Sequence, residues 1–110
     1  MDKQTGRALE FFGVMERQGV VPDAFTYNTL ISACEKGEDL KKALQLFDEM
    51  HLAGVKPNDF TYNALISACE KGKRPERALE FFAAMEQQGL VANVITCNAL
   101  ISACEKGEQL

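Results

Sequence analysis

The 110-residue sequence contains no tryptophan, one histidine and three prolines. Its four cysteines form no Cys-x-x-Cys pair and His51 stands alone, so these residues predict no zinc site. No apolar run approaches the ~20 residues that a membrane-spanning helix requires. The start of the chain shows neither the apolar core of a signal peptide nor an Arg- and Ser-rich transit peptide, so no targeting peptide is visible.

Catalytic motifs are also missing. The sequence has no Gly-rich phosphate loop or nucleophile elbow. It also lacks the His-x-Glu and Cys-x-x-Cys of a nucleobase deaminase. We therefore expect a protein that is not an enzyme and that uses no cofactor. The net charge of −4 offers no general attraction to a polyanion, which counts against nucleic acid as a partner.

The sequence does contain an internal repeat. The segment Asn63 to Gly72 recurs unchanged at Asn98 to Gly107, and with Thr29 in place of alanine at Asn28 to Gly37. Successive copies are 35 residues apart, a period typical of stacked helical hairpins. A hydrophobic content of 46% is sufficient for a folded array.

Each repeat predicts two helices. Apolar residues spaced i, i+3, i+4 and i+7 define a first helix, at Tyr27, Leu30, Ile31 and Cys34 and again at Tyr62, Leu65, Ile66 and Cys69. Gly37 is expected to end the first of these in the left-handed conformation, and Asp39 to cap the second helix. Gly54 and Pro57 then favour a short connector. The core positions predicted for the second helices are Leu40, Ala43, Leu44, Phe47 and Met50, and then Ala78, Leu79, Phe82 and Met85.

This register divides the chain into four parts. Residues 1–23 form the second helix of a partial repeat, 24–58 and 59–93 are complete repeats, and 94–110 form a first helix. The terminal helices carry unpaired apolar stripes, at Leu9, Phe12 and Met15 and at Leu100, Ile101 and Cys104. Because polar capping repeats are missing, we expect a longer natural array, partner proteins over these stripes, or self-association through the uncapped ends.

The cysteines are predicted to be small buried apolar residues in a reducing compartment. Cys34, Cys69 and Cys104 occupy one equivalent position in successive repeats, so neighbours should lie about 10 Å apart, roughly one helix diameter. That separation is too large for a disulfide.

Three motifs carry a family resemblance. The pattern Thr-Tyr-Asn-x-Leu-Ile ends the segments Ala24 to Ile31 and Asp59 to Ile66, and Cys97 replaces its tyrosine in the third copy. Ala-Leu-x-x-Phe-x-x-Met stands at Ala43 to Met50 and Ala78 to Met85, and Gly-x-x-Pro-Asp/Asn at Gly19 to Asp23 and Gly54 to Asn58. These motifs resemble the pentatricopeptide repeat (PPR) family. The tetratricopeptide repeat differs in its period of 34 and its tryptophan.

The resemblance implies an all-α, right-handed superhelical solenoid of antiparallel helix hairpins. It also implies binding of single-stranded RNA, one base per repeat, in the processing or stability of chloroplast or mitochondrial RNA. The base-reading residues would be Asn28 with Asn58, Asn63 with Asn93, and the incomplete pairs of Asp23 and Asn98. Both complete repeats would prefer cytidine. The residues packing against bases would be Phe25, Phe60 and Ile95, and those meeting phosphate would be Lys36, Lys71 and Lys106.

Other interpretations stay open at this stage. Asp23, Asn58 and Asn93 precede first helices, where Asp and Asn are preferred N-caps whatever the function. Lysines near a helix C-terminus are favourable without any ligand. The alternative function is a helical-repeat scaffold that makes protein–protein contacts in a larger assembly, and a third interpretation is an engineered or excised fragment.

Overall fold

The computed structural model describes residues 3–107, which form six α-helices and contain no β-strand within that range. The helices are α1 (Lys3–Arg17), α2 (Ala24–Lys36), α3 (Leu40–Leu52), α4 (Asp59–Lys71), α5 (Pro75–Gln87) and α6 (Val94–Gly107). The first helices of the repeats are α2, α4 and α6, and the second helices are α1, α3 and α5.

The first helices lie side by side in one layer, where α4 contacts both α2 and α6. The second helices form the other layer: α3 packs against α2 and α4, α5 against α4 and α6, and α1 against α2. Both α3 and α5 are therefore wedged between consecutive first helices. The apolar core is a continuous stripe between the layers, so the predicted all-α solenoid of helix hairpins is confirmed.

Polar side chains fix where the helices begin. The Oδ1 atoms of Asp23, Asn58 and Asn93 accept hydrogen bonds from the backbone N–H three residues later, at 3.0, 3.1 and 2.8 Å. The capping interpretation of these residues is therefore confirmed. Asp39 caps α3 as predicted, by accepting from the backbone N–H of Lys42 at 3.1 Å.

The first helices end differently from the prediction. Gly37 has φ −82°, and the left-handed residue is Glu38 at φ 58°. The next repeat behaves alike, with Gly72 at φ −84° and Lys73 at φ 60°. A Cβ atom on Gly72 would lie 2.8 Å from Leu40 Cδ2, so close helix packing explains a glycine there. Gly54, after α3, does adopt the left-handed conformation, with φ 74°.

The core confirms the predicted stripe of the first helices. Tyr27, Leu30, Ile31 and Cys34 are buried, as are their counterparts Tyr62, Leu65, Ile66 and Cys69. Burial of the Cys69 thiol raises its pKa to about 11, which keeps it protonated at neutral pH. Cys97 is exposed, so the prediction of burial is wrong there, because no second helix follows α6 within the described residues.

The predicted stripe of the second helices needs correction. Leu46 and Phe81 are buried although the pattern did not select them, whereas Leu79 is exposed. The ring of Phe81 packs edge-on against Phe47 of the preceding repeat, with centroids 5.4 Å apart. A second helix touches two first helices, so its buried face is wider than a single amphipathic stripe.

No helix between residues 3 and 107 combines the length and the apolar character needed to cross a membrane.

Candidate functional site

A polar opening lies between α2 and α4, on the face where the first helices meet. We call it the first slot; it has a volume of about 310 Å³ and is lined by Ala24, Phe25, Asn28, Thr29, Asn58 and Phe60. The slot therefore brings together Asn28, Asn58 and two of the residues that were predicted to pack against bases, Phe25 and Phe60.

Asn28 is held at the base of the first slot. Its side chain is 7% exposed, and its Nδ2 donates to Asn58 Oδ1 at 3.1 Å. The hydroxyl of Thr61 donates to Asn28 Oδ1. Asn58 Oδ1 also accepts from the backbone N–H of Thr61. These bonds fix the orientation of both amides before any ligand arrives.

The hydrogen bonds also determine what the slot offers to a ligand. Asn58 Oδ1 is occupied, but within residues 3–107 the Asn58 Nδ2 group makes no hydrogen bond. Because Asn58 is exposed, the slot presents N–H donors to an incoming group.

The second slot, between α4 and α6, consists of Phe60, Asn63, Asn93 and Ile95. Here the two asparagines are joined through Thr96, whose hydroxyl donates to Asn63 Oδ1 and lies 3.0 Å from Asn93 Oδ1. Asn63 is half-buried and Asn93 is exposed. The second slot thus has the same asparagine pair and the same cap as the first, but Ile95 stands where the first slot has Phe60, and Thr96 rather than a direct hydrogen bond joins the two asparagines.

Sequence reasoning missed the threonines of both slots. Thr61 and Thr96 are buried, and each connects an N-cap asparagine to the asparagine of the preceding first helix. Their signal in the sequence was recurrence, because Thr26, Thr61 and Thr96 occupy one position of the Thr-Tyr-Asn pattern. Buried hydroxyls that satisfy neighbouring amides position those amides without contacting a ligand themselves.

The predicted base-packing residues are large apolar side chains on the surface. Phe25 is 77% exposed, Phe60 53% and Ile95 69%. None of them belongs to the buried core. Their side chains flank the slots, and an exposed aromatic or aliphatic face beside a polar edge is the arrangement on which a nucleobase stacks.

The predicted phosphate lysines form ion pairs between repeats. Lys71 Nζ pairs with Glu35 of the preceding repeat, and Lys106 Nζ lies 2.6 Å from Glu70 Oε2. Hydrogen bonding and charge attraction from Glu70 raise the pKa of Lys106. These lysines are therefore cationic but partly neutralised, and a phosphate would have to compete with the glutamates.

The remaining predicted site residues lie at the ends of the described repeats. Lys36 is exposed and pairs with no carboxylate within residues 3–107, and Asn98 is exposed on α6. Asp23 caps α2, and hydrogen bonds from Thr26 lower the pKa of its carboxyl group. Residues 3–107 contain no cluster of His, Cys, Asp or Glu side chains arranged to hold a metal ion.

Comparison with known proteins gives consistent results. The model of the PPR repeat family matches three overlapping segments, residues 1–36, 22–71 and 60–106. A comparison with curated protein sequences gave no match.

Among solved structures, the chain is similar to PPR10 in complex with an 18-nt psaJ RNA element, at 35% identity and a TM-score of 0.79. It is also similar to PPR10 from maize, at 35% identity and a TM-score of 0.77. These alignments cover 94% and 96% of this chain but 15% of the PPR10 chains. The PPR domain of Arabidopsis thaliana protein-only RNase P 1, in complex with tRNA, matches in fold, with 22% identity, a TM-score of 0.83, and 96% of this chain against 56% of that one.

Proposed function

This chain belongs to the PPR repeat family, and on that premise we propose that it binds single-stranded RNA along its first helices, one base per complete repeat. The observation that carries the proposal is the first slot, where Asn28 and Asn58 are hydrogen-bonded at 3.1 Å between exposed Phe25 and Phe60. The RNA complex of PPR10, a relative at 35% identity, supports the same class of ligand. The function is binding rather than catalysis.

Cytidine is the base we propose for both complete repeats, 24–58 and 59–93. Asn58 Nδ2 can donate to cytosine N3, and the same residue pair recurs as Asn63 with Asn93. Phe25, Phe60 and Ile95 would support the bases by packing against them, and Lys36, Lys71 and Lys106 would follow the phosphates. On the family resemblance, the RNA would be a chloroplast or mitochondrial transcript in processing or stabilisation.

The substitution Asn58→Asp tests base reading without removing the helix cap, because Asp23 caps α2 in the same way. An aspartate oxygen accepts from uracil N3–H, so the ratio of cytidine to uridine affinity should fall toward one, while the unchanged repeat 59–93 keeps its own preference. The measurement is fluorescence anisotropy with RNA octamers that differ only at two adjacent central nucleotides, CC or UU.

The matched control is Asp23→Asn, which also keeps a cap but lies in an incomplete pair. It should leave the cytidine to uridine ratio unchanged. Using the ratio removes the general loss of affinity that an added negative charge causes. A ratio that is identical in Asn58→Asp and wild type would contradict the reading role.

A second candidate function is the helical-repeat scaffold. It is favoured by an apolar cavity of about 410 Å³ beside α1 and α2, lined in part by Phe11, Val20 and Phe25. Phe11 is 63% exposed there. A helix from a second protein, or from another copy of this chain, would bury this surface, and a concentration-dependent rise in mass during analytical ultracentrifugation would reveal the second copy.

A further inference from the structure

A second cavity, outside both slots, lies between the C-terminal ends of α4 and α6. We call it the basic cavity; its volume is about 440 Å³ and it is lined by Glu70, Lys73, Arg74, Pro75, Ala103 and Lys106. Three of these side chains are cationic and one is acidic, although the whole chain carries a net charge of −4. The cavity is therefore a local positive site on an acidic protein.

Two of its cations form no ion pair with the residues that the structure describes. Glu70 is engaged by Lys106 at 2.6 Å and lies 3.4 Å from the Ser102 hydroxyl. Lys73 and Arg74 are both exposed, and neither forms an ion pair within residues 3–107. An anion entering the cavity would meet two cations that pair with no carboxylate between residues 3 and 107, beside a Glu70 that is already engaged by Lys106.

The backbone holds these cations on an ordered turn. The N–H of Arg74 donates to Cys69 O at 2.8 Å, and the N–H of Lys73 donates to Glu70 O at 3.2 Å. Lys73 adopts the left-handed conformation, φ 60°, inside this turn. Their side chains therefore start from fixed positions, which lowers the entropy lost when they close on a ligand.

The preceding repeat provides an internal comparison. Its equivalent turn has the same geometry, with Glu38 at φ 58° and the N–H of Asp39 donating to Cys34 O at 2.9 Å. The chain thus places Glu38 and Asp39 on one turn and Lys73 and Arg74 on the other. Because the two turns share one backbone geometry, that geometry does not account for the change from two acidic to two basic side chains.

Arg74 also replaces a useful helix cap. Asp39 accepts a hydrogen bond from the backbone of Lys42, whereas Arg74 makes no side-chain cap at the start of α5. Asp is among the best N-cap residues and arginine is not. Helix stability therefore does not account for an arginine at this position, but an anionic ligand does.

We propose that Lys73, Arg74 and Lys106 bind a phosphodiester group of the strand, a proposal that rests on the function proposed above. The planar fork of arginine matches the geometry of phosphate oxygens, and lysine adds point charges. Lys106, which lines the cavity, lies about 12 Å along α6 from Asn98, at ~1.5 Å per residue. A strand that follows the first helices therefore passes the cavity. The strand is thereby held more firmly where it crosses from α4 to α6 than where it crosses from α2 to α4.

The first test compares two double substitutions with equal changes in charge. Lys73→Gln with Arg74→Gln should weaken binding of an RNA octamer on the order of tenfold at low salt. It should also reduce the slope of log affinity against log salt by about 0.7, the value for one phosphate contact on a single strand. The control, Arg7→Gln with Lys41→Gln on the second helices, should lose no more than about twofold. Equal losses in the two variants would overturn the proposal.

The reciprocal substitution tests the comparison between repeats. Glu38→Lys places a lysine on a turn whose backbone already holds Lys73 in the other repeat. It should strengthen binding of the octamer, and an unchanged affinity would argue against the phosphate path at this end of the first helices. Thermal unfolding of each variant verifies that the fold is intact.

A strand without bases separates this site from base reading. Backbone amide resonances of the 110-residue chain are followed during titration with an abasic oligodeoxynucleotide, which keeps the sugar–phosphate backbone but has no bases. Shifts at Lys73, Arg74 and Lys106 support the basic cavity, even if no RNA sequence preference is found and the proposed function fails. A second outcome is that RNA shifts the slot asparagines while neither strand shifts the residues of the basic cavity. This outcome overturns phosphate binding in the basic cavity and leaves the proposed function standing. No shift with either strand overturns both.

Discussion

At the scale of single residues, the candidate site depends on a threonine that never needs to touch a ligand. Thr61 is fully buried; its hydroxyl donates to Asn28 Oδ1, and its oxygen accepts from the backbone N–H of Asn58. The reading amides are therefore positioned by a residue from the following repeat. A repeat can be competent for base reading only when its neighbour is folded against it.

Replacing this hydroxyl should cost stability and selectivity together. In Thr61→Val the shape is kept but Asn28 Oδ1 loses its donor, so we expect a loss of about 1–3 kcal/mol. The free energy of unfolding in urea measures this loss. The same substitution at exposed Thr29 should change it by less than about 0.5 kcal/mol. If Thr61→Val proved as stable as Thr29→Val, the threonine would not have the positioning role assigned here.

The left-handed residues after the first helices make a second prediction at this scale. Glu38 has φ 58°, a conformation that costs an L-residue roughly 1–2 kcal/mol and glycine little. Glu38→Gly should therefore raise the free energy of unfolding by about 0.5–1 kcal/mol, after allowing for the backbone entropy of glycine. Glu38→Ala keeps the Cβ atom and should bring no such gain. An equal gain from alanine would attribute the effect to the lost charge.

At the scale of helices, the second helix is the element that links one repeat to the next. Leu46 of α3 is fully buried where this helix lies between α2 and α4, whereas Leu52 of the same helix is 84% exposed. Leu46→Ala should cost about 2–5 kcal/mol, because the cavity that it leaves is lined by residues of two repeats. Leu52→Ala is the matched control and should stay within about 0.5 kcal/mol. Equilibrium urea unfolding followed by circular dichroism at 222 nm distinguishes these outcomes.

The helices themselves were largely predictable from the sequence, because the 35-residue period and the spacing of Tyr27, Leu30, Ile31 and Cys34 are local signals. Leu46 and Phe81 were missed since one helix's periodicity does not reveal that two neighbours flank it. The glycine that ends a first helix was predicted to be there for its left-handed conformation, whereas at Gly72 the approach of Leu40 from the preceding repeat explains it.

The sequence predicted which residues form the candidate site, but not the hydrogen bonds and ion pairs that connect them. The asparagine pairs and exposed Phe25 and Phe60 stood out by recurrence and by resemblance. Their hydrogen bonds through Thr61, and the ion pair of Lys71 with Glu35, join residues 33 and 36 positions apart. Such contacts exist only once the repeats are stacked. The roles assigned to these residues toward RNA stay predictions.

At the scale of the whole molecule, the proposed function requires an acidic chain to bind a polyanion through localised charge. Lys71 and Lys106 are each held by a glutamate from the preceding repeat, and the two cations of the basic cavity that form no ion pair within residues 3–107 both lie between α4 and α6. Binding should therefore be weak, because only two complete repeats contribute, and it should respond strongly to salt.

The salt dependence can be stated quantitatively. Three to five phosphate contacts predict a slope of log affinity against log salt between about −2 and −3.5, at ~0.7 per contact on a single strand. Anisotropy titrations of one RNA octamer between roughly 50 and 200 mM salt give this slope, and affinity should fall by about twentyfold or more over that range. A slope near zero would mean that the first helices carry no path for phosphates.

The central claim, that bases are read in the slots between first helices, is tested most directly at the side-chain amides of Asn28, Asn58, Asn63 and Asn93. Their ¹⁵N–¹H resonances are followed while the ¹⁵N-labelled chain is titrated with the CC-containing octamer and with its UU counterpart. We predict that these amides shift together with one saturation curve, and that the CC octamer saturates them at lower concentration. Amides that stay unshifted while resonances elsewhere, such as those of the second helices α1, α3 and α5, respond to RNA would contradict the account.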